Sequence, residues 1–190
     1  MTEAIAAAKE RIRACVSRSP VPEDVMHAEN VLQWVLRLAP DADAALQIAA
    51  LAHDIERSDE SRKVRRSDFR DDDAFKAAHA ANSARMLCGL LDECRVERTV
   101  AEEACRLVAL HEVGGDPRSD LLKDADGISF FEVNVPLYFE REGYAETLRR
   151  CAWGYRRLSP GMCDLCKTIT YADPVLTRIV QEAIDEAEES

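Results

Sequence analysis

Apolar residues recur along this chain at intervals of three and four, and no stretch of length alternates cleanly between apolar and polar. That spacing lines one face of a helix with 3.6 residues per turn and gives a strand no face to bury. The sequence therefore predicts an all-α fold, a bundle of roughly seven to nine helices. Ile5, Ala8, Ile12 and Cys15 share a face over 2–18, and the run Ser19-Pro20-Val21-Pro22 stops that helix because proline cannot continue it. Val31, Leu32, Val35 and Leu38 mark a second helix over 23–38, broken at Pro40, and Asp41 can cap a third over 42–56. Phe75, His79, Asn82, Met86 and Leu90 line a helix over 72–91, and Val100, Ala104, Leu107, Val108 and His111 line another over 96–112. Further helices are expected over 119–132 and 143–157, with an irregular turn at Ser159-Pro160-Gly161. The last begins with Asp173 as cap and Pro174 in its first turn. The segment 57–73 has no apolar stripe and reads as a charged loop or a short, solvated helix.

Charge and length exclude several classes. With 25 Lys and Arg against 36 Asp and Glu, the chain carries a net −11, which argues against a dedicated nucleic-acid binder. No apolar run approaches the roughly 20 residues a bilayer crossing needs. Charges interrupt the first apolar stretch, so the N-terminus lacks the core of a signal peptide. Seven cysteines, an odd number, in a chain read this way are expected to be reduced, in a cytoplasmic protein.

The four histidines, His27, His53, His79 and His111, all fall on or near the apolar faces of predicted helices. His53 is followed at once by Asp54 in ALAHDIER, and LLKDADGISFF places Asp124 and Asp126 inside an apolar stretch. A buried carboxylate costs several kcal/mol unless it is paired or bound to a metal. One inward histidine is ordinarily a hydrogen-bonded core residue. Four of them with inward aspartates are reconciled by a shared cation, so the pattern points to a buried metal site.

The ordered set His27, His53-Asp54, His79, His111 and Asp126 resembles the HD-domain superfamily of metal-dependent phosphohydrolases. HAENV is similar to the family's first histidine motif, ALAHDIER to its His-Asp helix and LKDADGIS to its closing motif, over about 23–131. The resemblance implies a single HD-type helical domain over 1–190, its motif-bearing core at 23–131 and C-terminal helices over 133–188 packed on it. It implies His27, His53, Asp54 and Asp126 at one metal and His79 and His111 at a second, with Asp54 bridging. The cofactor would be two divalent transition-metal ions, of Fe, Mn, Co, Ni or Zn. The sequence departs from the family in having HDIER where one subgroup has HDIGK. It also has LHEVGGDP where the cyclic-dinucleotide branch has a double histidine and a GYP signature.

The implied activity is hydrolysis of a small phosphomonoester or nucleotide through a metal-bound hydroxide. Such a substrate needs cations beside the metals, and Arg57, Arg62, Lys63, Arg65, Arg66 and Arg70 form the densest basic cluster in the chain. Acidic residues of the same segment match them, so a solvated loop is the competing reading. Arg57 is the first choice for a phosphate clamp and a catalytic role beside Asp54. Arg62, Lys63, Arg65, Arg66 and Lys123 are candidates for substrate binding. Glu56 and Glu112 can carry a proton or orient an imidazole. Asp124 is read as supporting the site or capping a helix. Cys163-x-x-Cys166 stands without a second such motif and is read as two reduced thiols at a helix start. Trp34 and Trp153 are read as core or interface anchors. The small phosphorylated metabolite or nucleotide is the only partner expected, with no nucleic acid and no membrane. Two alternatives stay open: the same ligand set resembles the di-iron oxygenase branch of the fold, and a non-catalytic ligand-sensing module is a third reading.

Overall fold

The computed structural model describes residues 2–189, all of whose regular structure is helical. They form two compact units, one ending at Ala125 and one beginning at Asp126. Among the described residues no helix is long and apolar enough to cross a membrane.

The first unit is built around its most apolar element. Helices α1 (Glu3–Val16), α2 (Asp24–Leu38) and α3 (Ala44–Ala52) are followed by a 3₁₀ turn at Ile55–Ser58 and another at Arg66–Asp68. Then come α4 (Asp72–Glu93), α5 (Arg98–Leu110) and the part of α6 (Pro117–Ser129) up to Ala125. The α3 sequence AALQIAALA is apolar almost all round, the pattern of a helix enclosed by others. Ile48, Ala49 and Ala50 have no exposed surface, and α3 packs against α1, α2 and α5. Asp43, not Asp41, caps it, accepting from the Leu46 amide at 3.0 Å. Helix α3 is shorter than the expected 42–56. Its α-helical hydrogen bonding ends at Ala52, and the chain tightens into the 3₁₀ turn that follows.

Helix α4 packs along α5 and brings two cysteine Cα atoms to 5.9 Å, inside the range a disulfide spans. Cys88 and Cys105 are joined there, which corrects the expectation that every cysteine is reduced. Cys15, Cys94, Cys151, Cys163 and Cys166 are not disulfide-bonded.

In the second unit a π-helical turn at Phe130–Asn134 leads into α7 (Val135–Glu142). Pro136 in its first turn fits a helix start, although the sequence reading placed no helix there. Gly143, at φ 77°, reverses the chain into α8 (Tyr144–Tyr155). The expected irregular turn at Ser159-Pro160-Gly161 is instead the start of α9 (Pro160–Cys166), with Pro160 in its first turn. Helix α10 (Pro174–Glu188) is capped by Asp173, as expected, and packs on α8 and α7. Phe131, Cys151, Ile179 and Ile184 are fully buried.

Candidate metal centre

The enclosed α3 ends at His53, so the fold delivers the His53-Asp54 pair from its most buried element. His53 Nδ1 meets the Ala50 carbonyl at 2.9 Å. A carbonyl can only accept, so that nitrogen carries the proton and Nε2 presents a lone pair. His111, at the end of α5, repeats the device: its Nδ1 donates to the Val108 carbonyl at 2.7 Å. His27 extends the Val31–Val35 stripe of α2 inward, and His79 lies on the buried face of α4. All four imidazoles are buried.

These side chains meet around Asp54. Its Oδ1 lies 2.6 Å from His79 Nε2 and 4.0 Å from His111 Nε2. Its Oδ2 lies 3.6 Å from His53 Nε2 and 2.9 Å from the Arg57 guanidinium. His53 Nε2 in turn faces His27 Nε2 at 3.1 Å. The two carboxylate oxygens thus look toward different halves of the cluster. Asp54, His79 and His111 each bring one ligand atom within 4.8 Å of the others, so a His/Asp group able to hold a metal ion is present. His111 Nε2 is buried without a hydrogen-bond partner among the described residues, which is costly for a polar atom and fits a nitrogen aimed at a cation. Asp126 is the first residue of the second unit.

Charge on Asp54 is set by opposing effects. Burial disfavours the carboxylate, but the Arg57 guanidinium, the adjoining His53 ring and the hydrogen bond from His79 outweigh it and hold its pKa well below the usual range. Glu56 is likewise penalised by burial and kept below its ordinary pKa by His79, Asn82 and the Val64 amide. Its Oε1 lies 2.6 Å from His79 Nδ1, so Glu56 orients the imidazole, one of the two roles considered for it. Glu112 Oε1 lies 3.5 Å from His111 Nε2 and pairs with Lys76 at 2.6 Å.

The basic candidates separate in space. Arg57, Lys63, Arg65 and Arg66 line one pocket of about 320 Å³, walled on its inner side by Glu56 and His79. Arg62 lines a different cleft, because the 3₁₀ turn and the loop after it send it to the α1–α4 side. Lys123 lines neither and stands 3.8 Å from Asp120. Three participants escaped the sequence reading. Asp24 is buried and holds Arg57 at 3.0 Å, Asn82 donates to Glu56, and Lys76 lines the pocket. Asp24 and Lys76 each precede one of the clustered histidines by three residues, a helical spacing that could have flagged them.

The sequence model of the family described as Domain of unknown function (DUF4202) matches residues 4–178. No curated protein and no solved structure matches the chain.

Proposed function

The chain belongs to the DUF4202 family, a domain of unknown function, and from its site we propose that it is a metal-dependent phosphohydrolase acting on a small phosphomonoester or nucleotide. The observation that carries the reading is Asp54 between two sets of inward imidazole nitrogens, with a cation-lined pocket opening at His79. His27, His53, Asp54, His79 and His111 of the first unit would hold the ions, with Asp54 shared. Imidazole and carboxylate donors suit Fe, Mn, Co, Ni or Zn, and two ions is the count proposed. When bound, such ions polarise a phosphoryl oxygen and lower the pKa of nearby water.

The chain's own residues supply the rest. His53 and His111 are locked by backbone carbonyls, and Glu56 locks His79, so the donor atoms need little reorganisation. Arg57, fixed by Asp24, stands where a phosphoryl oxygen leaving the cluster for the pocket would pass. Lys63, Arg65 and Arg66 attract the substrate's charge, and the apolar side of Phe75 limits water on one wall.

Elemental analysis of protein purified without chelator, joined to a phosphatase screen with Mn²⁺, Co²⁺ and Mg²⁺, tests this. Two ions per chain and phosphate release from a small monoester are expected. A broad screen without phosphate release, while iron-loaded protein consumes O₂ with an organic substrate, would replace this reading with the oxygenase one.

A further inference from the structure

Arg11 and Cys15 share one face of α1, Arg18 follows in the turn just past its end, and Arg85 and Gly89 share a face of α4. With Arg62 from the loop between them, they line a cleft of about 280 Å³ that shares no residue with the pocket at His79. In a chain of net charge −11, four guanidiniums here face two carboxylates, Asp59 and Glu93. Neither pairing is buried. Arg62 stands 4.0 Å from Asp59, and Arg11 meets Glu93 closely, at 2.5 Å, but with both side chains more than half exposed, where ion pairs hold weakly. Arg18 donates to the Ala14 carbonyl and the Cys15 thiol, and Arg85 to the Asn82 side-chain oxygen, neither of them to a carboxylate among the described residues. A Cβ built on Gly89 would meet nothing within 4 Å, so the cleft is open at that point.

The same cleft is wired to the metal centre. The Asn82 oxygen accepts from Arg85, and its amide donates to the Arg62 carbonyl at 2.8 Å and to Glu56. Glu56 in turn holds His79 Nδ1 at 2.6 Å. We propose that this cleft is a second anion site, for a compact, multiply charged phosphoryl anion, and that its occupancy is transmitted to His79 through Arg85, Asn82 and Glu56. Guanidinium forks match phosphoryl oxygens in geometry and outcompete single, solvated carboxylates for them. The volume sits near the lower bound of small-molecule pockets and admits an ion the size of pyrophosphate. An anion that recruits Arg85 releases Asn82, and Glu56 and His79 then reset. By linkage, what happens at His79 is felt equally in the cleft. The inference does not require the chain to be a hydrolase.

The test uses the full chain stripped of metal by chelation and dialysis, with inorganic pyrophosphate as probe. N-ethylmaleimide labelling of Cys15 should slow roughly tenfold once the probe is well above its Kd, by mass action. Unchanged labelling overturns the site. Gly89→Glu tethers a carboxylate among the arginines and, since Glu forms helix better than Gly, should keep the fold while abolishing protection. Arg57→Ala should retain it. Protection that survives Gly89→Glu, or that is lost only in Arg57→Ala, places pyrophosphate elsewhere and sinks the proposal. The His79 ring signal in NMR spectra should move with pyrophosphate in the wild type and stay fixed in Gly89→Glu and Asn82→Ala. A signal that stays fixed in the wild type removes the transmission.

Discussion

His79 Nε2 stands 2.6 Å from Asp54 Oδ1 while its other ring nitrogen stands 2.6 Å from Glu56 Oε1. One imidazole is therefore held between two carboxylates on opposite edges. Only the Asp54 side faces the His/Asp cluster, so Glu56 would act on an ion held there through the ring it orients. Glu56→Gln should keep the side chain's size while replacing one of its two accepting oxygens with a donor, and lower metal affinity by about 10–100-fold, the usual effect of removing a partner behind a ligating histidine. Metal competition titrations on folded variant protein check this. An unchanged affinity would mean that Glu56 serves only the loop, where it accepts from the Val64 amide.

Asp54→Asn should abolish metal-dependent phosphate release with a small effect on the fold. Arg57 would keep Asp24 at 3.0 Å, so its charge is not stranded, and the asparagine oxygen can still meet His79. Thermal melts of metal-free wild type and variant should agree within about 4 °C, roughly the shift that 1 kcal/mol produces in a chain of this size. A variant that no longer folds would make Asp54 a structural residue first.

How far the site was legible before any coordinates depends on the kind of signal. His27, His79 and His111 were readable because each continues an apolar stripe, and a histidine there needs a reason. Asp54 was readable because it follows His53 directly. The destinations of Arg57, Arg62 and Lys123 were not. Charged side chains on a loop leave no periodic trace, and only the path of the chain through 55–71 sends Arg57 to the pocket and Arg62 to the opposite cleft. The α3 end was misplaced for a related reason: Ile55 continues the apolar pattern while the hydrogen bonding has already changed to 3₁₀.

The same separation predicts unequal kinetics among the basic candidates. Arg65→Ala and Lys63→Ala should raise KM for a small phosphomonoester, because both residues line the pocket at His79. Lys123→Ala, whose amine instead faces Asp120, should leave KM unchanged. Steady-state rates at two salt concentrations check this, since the pocket's effect should fade as ionic strength rises. Equal KM values for the three variants and wild type would remove the segment from substrate binding.

Stability against acid should report the cap of α3. Asp43 receives the Arg118 guanidinium at 2.8 and 3.0 Å and the Leu46 amide at 3.0 Å, and the Arg118 contact leads in pulling its pKa below the usual value. A depressed folded pKa gives stability that is fully present above the unfolded value of about 3.9 and is lost as pH falls through the folded one. Asp43→Asn keeps a good cap but removes the charge. The stability gap between wild type and variant should be constant near neutrality and should close below about pH 4. Urea unfolding across that range checks it, and a gap independent of pH would show that the Arg118 pairing adds nothing.

The Cys163-x-x-Cys166 motif should not behave as a redox pair. Burial pushes the Cys166 thiol up to about 12, with the neighbouring Cys151 and Cys163 sulfurs adding to the effect, and burial pushes Cys151 to about 12 as well. A thiolate is the reactive form, so both stay protonated and inert near neutral pH, whereas redox-active cysteines of this spacing depend on a lowered pKa. Iodoacetamide at pH 8 should modify Cys15 and Cys94, which are half-buried, while Cys151 and Cys166 react only after denaturation. Mass mapping of the native protein reads this directly. Rapid labelling of native Cys166, or a Cys163–Cys166 disulfide formed by mild oxidant without loss of helicity, would show instead that the motif is redox-active.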